Sequence, residues 1–195
     1  KNTAVYSVTA NGKDVTKNFA FDESFGTLTV DRRKITLQSA TDSKTYDGQP
    51  LSNPNVWLAL GELVQKHVLS ATANGTITNV GKQANTFTYK ISDLSGKDVT
   101  NYYEVTELNG ELTVDKLKVI VVTDDAQETY NGLPLMYDSW HIAEGYGIVG
   151  GHKLNVKVVG SQTDVGSSDN RVEGIFVTDG NNSDVSGNYD LTEVR

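Results

Sequence analysis

The sequence predicts an all-β protein: tandem small β domains, Ig-like or sandwich in type with a β-grasp-like layout as the alternative, in a rod-like arrangement. Three observations predict it. Apolar and polar residues alternate over short runs, as in Phe87, Tyr89 and Ile91 against Thr88, Lys90 and Ser92, the period-2 signature of a half-buried strand. Turn dipeptides punctuate the chain at short intervals. Whole phrases also recur: T-Y-[D/N]-G-x-P-L holds Tyr46 and Tyr130, which lie 84 residues apart. That period suits a small domain better than a solenoid unit.

The repeat orders the elements. GKDVT at Gly12 and Gly96 returns as NSDVS at Asn182, and GTLTVD at Gly26 returns as GELTVD at Gly110. TNVGKQAN at Thr78 matches TDVGSSDN at Thr163. Residues 1–30 therefore read as the C-terminal strands of a preceding repeat. Residues 31–114 form a complete β repeat, and residues 115–195 a second repeat lacking its final strand. The opening strand contains ITL at Ile35 or VIVV at Val119. The second of these is apolar on both faces and so predicts a central strand. Leu154, Val156 and Val158 alternate like Phe87, Tyr89 and Ile91.

Residues 56–69 (VWLALGELVQKHVL) are the one helix candidate, but the matching stretch near Trp140 carries four glycines. Each costs ~1 kcal/mol inside a helix, so at most a short turn of helix is predicted. Asp47-Gly48 and Asn131-Gly132 predict a corner after the first strand, with Tyr46 plugging the end of the core and Pro50 or Pro134 stiffening the exit. Asn11-Gly12, Asn74-Gly75, Asn109-Gly110 and Asp179-Gly180 predict further turns of the same kind. At the junction, residues 30–35 and 114–119 contain no Gly, Pro or Ser. Flexible linkers are rich in Gly and Ser, so one repeat is predicted to run straight into the next.

Composition narrows the function classes. The 195 residues carry a net charge of −8, and no basic cluster exceeds Arg32-Arg33-Lys34, so nucleic acid and anionic membranes are not expected partners. No apolar run reaches the ~20 residues needed to cross a bilayer, so no membrane insertion is expected of this segment. Cysteine is absent, which excludes disulfides and thiolate-bound metals. The start at Lys1 shows no signal-peptide pattern, and a fragment of a larger or mature protein is expected.

At Thr45-Tyr46-Asp47-Gly48, residues 160–166 (GSQTDVG), Asp98-Val99-Thr100 and residues 110–114 (GELTV), the chain resembles the YDG/MBG-type tandem β repeats of Gram-positive and gut-bacterial surface proteins. The resemblance covers essentially the whole chain. It implies an extracellular, non-catalytic β domain at the cell surface or cell wall, used in arrays as stalk or adhesin, with no catalytic residues to carry over. Trp57 and Trp140, at matched places, depart from that family's pattern.

Several residues are candidates for chemistry. Trp57 and Trp140 are tentative binding residues, platforms for a sugar ring or a protein partner. Tyr137, His141 and Tyr146 would enlarge the patch around Trp140. Burial base rates favour a core role for both tryptophans. His67 and His152 recur without the converging ligands a zinc site needs. The DGNNSD loop at Asp179 lacks the glycine and glutamate of a calcium loop. Lys34 and Lys118 recur on the first strand and raise the idea of a self-formed lysine crosslink, with Asp98 or Asp184 as the acid. An exposed edge-strand lysine is the favoured reading. No nucleophile constellation emerges, and the pairs Asp22-Glu23 and Asp124-Asp125 do not recur as a glycosidase dyad would require. No enzyme activity, cofactor or metal is expected.

The sequence thus leads to a non-catalytic repeat region of a bacterial surface adhesin. Expected partners are adjacent repeats of the parent protein and a host glycan or secreted host protein such as mucin or immunoglobulin. An accessory β-module of a secreted polysaccharide-degrading enzyme is the alternative. The unpaired GTLTVD segment adds the idea that the N-terminal piece completes a neighbouring molecule's sheet.

Overall fold

The computed structural model describes residues 2–194; Lys1 and Arg195, the outer limits of the predicted organisation, lie outside them. Fifteen strands follow in order: β1 (Thr9–Ala10), β2 (Lys13–Asp14), β3 (Arg33–Ser39), β4 (Asp42–Thr45), β5 (Val56–Leu60), β6 (Val68–Ala73), β7 (Gly81–Asn85), β8 (Phe87–Ser92), β9 (Tyr103–Leu108), β10 (Gly110–Asp115), β11 (Leu117–Thr123), β12 (Trp140–Ile142), β13 (Lys153–Val159), β14 (Arg171–Thr178) and β15 (Tyr189–Val194). The protein is all-β, with three single 3₁₀ turns as its only helical residues among those described. Residues 56–69 form β5, a turn with Lys66 at φ 70°, and the start of β6. No helix forms there.

Each repeat builds the same two-layer body. In the first, β3 is central, paired antiparallel with β5 and parallel with β9. The strands β6 and β8 pair antiparallel and form the other layer. Ile35 and Leu37 of β3 alternate inward with Phe87 and Ile91 of β8, Ala73, Val99 and Tyr103. In the second repeat β11 takes the central place between β12 and β15, facing β13–β14. The VIVV run is therefore central, as its two-sided apolar character demands. The first and last strands of each body pair in parallel, a crossover that closes the unit around its own side chains. The bodies are small sandwiches with no helix packed on the sheet.

A third sheet sits between the bodies. Its centre is β10, parallel to β4 on one side and antiparallel to β7 on the other. Leu112 and Val114 of β10 are fully buried. Only Lys116 separates β10 from β11, so the chain passes from this sheet into the second body without slack. The direct strand-to-strand join read from the Gly-free junction is present.

The DVT phrase has the same cause in all three copies. Asp14, Asp98 and Asp184 each accept a hydrogen bond at Oδ1 from the backbone N–H two residues on, at 2.9, 2.9 and 2.8 Å. The hydroxyl at that position then accepts from the preceding strand: Val8 N–H to Thr16, Ile91 N–H to Thr100, and Val177 N–H to Ser186. This turn fixes the angle at which the chain enters β9 or β15. In the N-terminal piece it stands almost alone, since Phe19, Phe21, Leu28 and Val30 remain exposed.

Two glycines predicted as turns serve another purpose. A Cβ on Gly110 would lie 2.2 Å from the Ala40 carbonyl oxygen, and one on Gly75 would lie 2.7 Å from Asn85 Cα. Neither has positive φ; both allow backbones to meet. By contrast Asn11 and Gly12 have φ of 48° and 74°, the paired left-handed turn expected of Asn-Gly in a hairpin. Asp179-Gly180 also lacks positive φ at its glycine, and Asn182 adopts it instead at 63°.

Two outcomes follow. Gly110→Val drives a side chain into backbone that cannot retreat, and should destabilise the first repeat by about 3 kcal/mol or more, read by urea denaturation. Hydrogen bonds from Thr100, backbone first and then side chain, hold the Asp98 carboxyl below its ordinary value. A depressed folded pKa contributes stability above the unfolded pKa and loses it as pH falls through the folded one. Asp98→Asn should therefore flatten the acid limb of the stability profile below the ordinary carboxylate value, with little pH-dependent change at neutral pH.

Candidate functional site

The recurrent corner is where the repeats meet. Asp47 Oδ1 accepts from Gln49 N–H at 2.9 Å and from Lys44 Nζ at 2.5 Å. The Lys44 contact, followed by Gln49 N–H, holds the Asp47 carboxyl below its ordinary value. Gly48 reverses the chain at φ 77°. Leu51 and Ile77 then exchange backbone hydrogen bonds at 2.8 and 3.1 Å, tying the corner to the segment before β7. The corner follows β4, the second strand of the repeat.

Tyr46 does plug a core, but it is the core of the next repeat. Its ring packs edge-on against Tyr189 at 5.6 Å and lies 6.2 Å from the His152 ring. Tyr46 and Val114 share one buried cluster with Val119, Val121, Leu154, Val177 and Tyr189, and Leu51, Ile77 and Val80 pack against it. The two repeats thus do not enclose wholly separate interiors. The first body is self-contained, while the corner and linking sheet of the first repeat close the end of the second.

The receiving face is prepared by the second repeat. His152 Nδ1 and Tyr189 Oη share a hydrogen bond of 2.6 Å, and Val149 N–H donates to the same hydroxyl at 3.3 Å. Burial pushes the Tyr189 hydroxyl pKa up. Asn188 Oδ1 accepts from Val80 N–H at 2.8 Å, and its amide donates to Asn79 Oδ1 at 3.2 Å. A Cβ on Gly48 would lie 2.8 Å from Val149 Cγ1, so glycine is needed there for contact as well as for φ. The first repeat carries the same receiving pair: His67 Nδ1 and Tyr103 Oη at 2.6 Å, with Val64 N–H donating at 3.0 Å. This explains the recurrent histidines without a metal.

At the far end of the second repeat the same corner is formed and uncovered. Asn131 Oδ1 accepts from Leu133 N–H at 2.7 Å, Gly132 has φ 79°, and Leu135 pairs with Gln162. Tyr130 is 64% exposed, against 5% for Tyr46, and Val165 is 88% exposed. Beside it runs a groove of about 470 Å³ between residues 126–129 and 166–170, lined also by Tyr130, Leu135 and Tyr137.

The tentative binding residues fall in different places. Trp57 lies on edge strand β5 and is 43% exposed. Trp140 is half-buried and packs against the second core. Tyr137 faces the groove, while Tyr146 is exposed in the turn closed by its own N–H to Ala143. His141 points outward and binds Asp124 Oδ1 at 2.6 Å, and the Ser139 hydroxyl donates to Asp124 Oδ2. These two contacts, Ser139 foremost, hold the Asp124 carboxyl low. Both Ser139 and His141 bind the carboxylate, so the histidine is not placed between serine and acid as a nucleophilic relay requires.

Lys34 is exposed and lies 3.8 Å from Glu104; Lys118 is exposed opposite Asp190. They stand on the central strands β3 and β11, a correction to the edge-strand reading. Neither has the desolvated amine that a self-formed crosslink needs. In the loops after β8 and β14, Asp93 and Asp179 spend their Oδ1 atoms on N–H groups of their own turns, as Asx turns do. No helix among the described residues is long and apolar enough to cross a membrane.

No protein-family model, curated protein or solved structure matches this chain.

Tyr46 and Tyr130 share a motif and differ in burial, which gives a matched pair. Tyr46→Ala should cost about 3 kcal/mol, and Tyr130→Ala about 0.5 kcal/mol or less, compared by thermal unfolding of the two variants.

Proposed function

We propose that this chain is a non-catalytic repeat region of a bacterial surface protein, whose first task is to hold successive repeats in a fixed, rod-like relation. The observation that carries this reading is the shared core at the joint. Tyr46, Val114, Leu51, Ile77 and Val80 of one repeat are packed with Tyr189, Val119 and Leu154 of the next. One residue of linker and an apolar contact leave little freedom for bending. Domains that move independently meet through more polar interfaces. A stalk that projects a binding domain from a cell wall needs that property.

A second reading places binding on the same scaffold. Trp57 is a large aromatic that the core leaves nearly half in water, a suitable platform for a glycan ring or a secreted host protein such as mucin or immunoglobulin. Trp140 fits this role less well, since its ring contributes to the second core. An accessory module beside a polysaccharide-degrading domain would use the same residue. A cysteine-free chain is compatible with either redox compartment, and extracellular placement rests on the resemblance to surface-protein repeats.

Two measurements test the readings. Paired spin labels on the two bodies should give a narrow distance distribution that broadens in Tyr46→Ala; a broad distribution in the parent chain would defeat the stalk. A glycan and host-protein screen with Trp57→Ala as control should show binding lost at least tenfold in the variant if the second reading holds.

A further inference from the structure

We propose that β6 (Val68–Ala73) is an open sheet edge that pairs antiparallel with β6 of a second copy of this chain, closing a two-fold dimer with its axis between the two Ser70 residues. This pairing requires neither the stalk reading nor a ligand at Trp57.

Main-chain bonding leaves one side of β6 free. Ser70 lies opposite Lys90 of β8 and Thr72 opposite Thr88, and just beyond them Asn74 N–H donates to the Thr86 carbonyl at 2.8 Å. Bonded and non-bonded pairs alternate along an antiparallel ladder, so Val68, Ser70 and Thr72 spend their N–H and C=O groups on β8. Those of Leu69, Ala71 and Ala73 point away from it. Ala73 N–H reaches the Pro54 carbonyl at 3.1 Å. Among the described residues no main-chain group bonds to the N–H or C=O of Leu69 and Ala71. The far side of β8 shows the contrast. There Ile91 N–H is taken by Thr100 Oγ1 and its carbonyl by Val99 N–H.

Neighbouring repeats do not take the free side. The first body has a complete repeat docked after it, and the second has a complete repeat docked before it. Neither repeat bonds to Leu69 and Ala71, or to the corresponding main-chain groups of Leu154 and Val156 on β13. The edge lies away from the joint.

Exposed edges are commonly blunted by a charge, a bulge or short length. Among the described residues, every other edge strand longer than three residues carries a charged side chain, except β5, which is bulged against β3. β6 (VLSATA) has neither a charge nor a register shift. Its counterpart β13 has both. Counting from the matched histidines His67 and His152, Val68 and Thr72 correspond to Lys153 and Lys157, and the register shifts just after Lys157.

Side-chain direction fixes how two copies would meet. Leu69 packs on the core and Ala73 belongs to it, so Val68, Ser70 and Thr72 face outward. A two-fold pairing that keeps both faces matched sets Ser70 opposite Ser70, Val68 opposite Thr72 and Leu69 opposite Ala71 of the second copy. Each free N–H and C=O of Leu69 and Ala71 then gains a partner, and Ala73 N–H keeps its bond to Pro54. Placing Ala71 on the axis instead would need that Ala73 N–H. The outward row is uncharged and includes Val68, which is 55% exposed in the single chain. In β13 the same register would set Lys153 against Lys157, like charges directly opposite. Only the first repeat is self-complementary. Such a contact is isologous and closes at two copies.

Sedimentation equilibrium on the full chain from micromolar to millimolar concentration tests this. The expected result is a mass that rises to the dimer and no further. Val68→Lys with Thr72→Lys copies β13 and should leave the chain monomeric throughout. Both side chains are exposed, so the circular dichroism spectrum and melting temperature should not change. The chain has no cysteine, and Ser70→Cys therefore introduces a single thiol. Cα atoms of a non-bonded antiparallel pair lie ~4.5 Å apart, within disulfide reach. Oxidised glutathione should convert Ser70→Cys to a covalent dimer at least tenfold faster than Asn155→Cys, its counterpart on β13. A parent chain that stays monomeric at millimolar concentration overturns the proposal. So does a dimer that persists in the double-lysine variant, a mass that climbs past two copies, or equal crosslinking of Ser70→Cys and Asn155→Cys.

Discussion

The Tyr46 ring leaves water mainly against residues of the next repeat. Tyr189 meets it edge-on, His152 lies beside it, and Val119 and Val121 share its buried cluster with Val114 of its own repeat. Burying a tyrosine removes on the order of 150–250 Å² from water, and here most of that gain exists only if two repeats are in contact. The linking sheet of β4, β10 and β7 has little to cover its buried Leu112 and Val114 except the bodies on either side. One apolar contact therefore completes the second core with residues of the first repeat.

Local chemistry is the same in each repeat, and its surroundings decide what that chemistry achieves. The Asp-Val-Thr turn, the His–Tyr pair and the Tyr-Asx-Gly corner are all formed in duplicate or better, with closely matching hydrogen-bond lengths. Where a neighbour docks, the corner is buried and the groove beside it is filled by a strand. At the second corner the corresponding positions Tyr130, Leu133 and Val165 are exposed to solvent. Asp47, Asp93, Asp98 and Asp184 each bind backbone N–H groups within their own loops, whereas Asp124 binds the side chains of Ser139 and His141 and Glu111 that of Lys82.

Several features were readable in order along the chain. Alternation revealed the strands because a sheet with one buried face imposes a period of two. Two-sided apolar character at Val119 revealed a central strand. The Gly-free junction revealed the direct join, since a chain without slack uses neither Gly nor Ser. Other features were hidden for equally physical reasons. The Asn109-Gly110 and Asn74-Gly75 dipeptides look like turns, but their glycines answer to close backbone contact with Ala40 and Asn85 across 70 and 10 residues of sequence. Trp57 and Trp140 look matched in sequence but are one residue out of register: Trp57 lies opposite Gln38, whereas Trp140 lies opposite Thr123, the counterpart of Ser39, which faces Val56, so the alternation of the strand turns the two rings to opposite faces. The residues of the joint were marked by recurrence alone, which says that a position matters to the repeat and leaves open which repeat it touches.

By itself, the sequence determined the period, the alternation that marks the strands and the shortness of the link between β10 and β11. These follow from spacing and from the backbone preferences of single residues. Tertiary structure alone decided that Tyr46 belongs to its neighbour's core and that Gly110 and Gly48 are held to glycine by backbone and by Val149. Each of those depends on which surfaces exclude water together, and that is a property of pairs of segments distant along the chain.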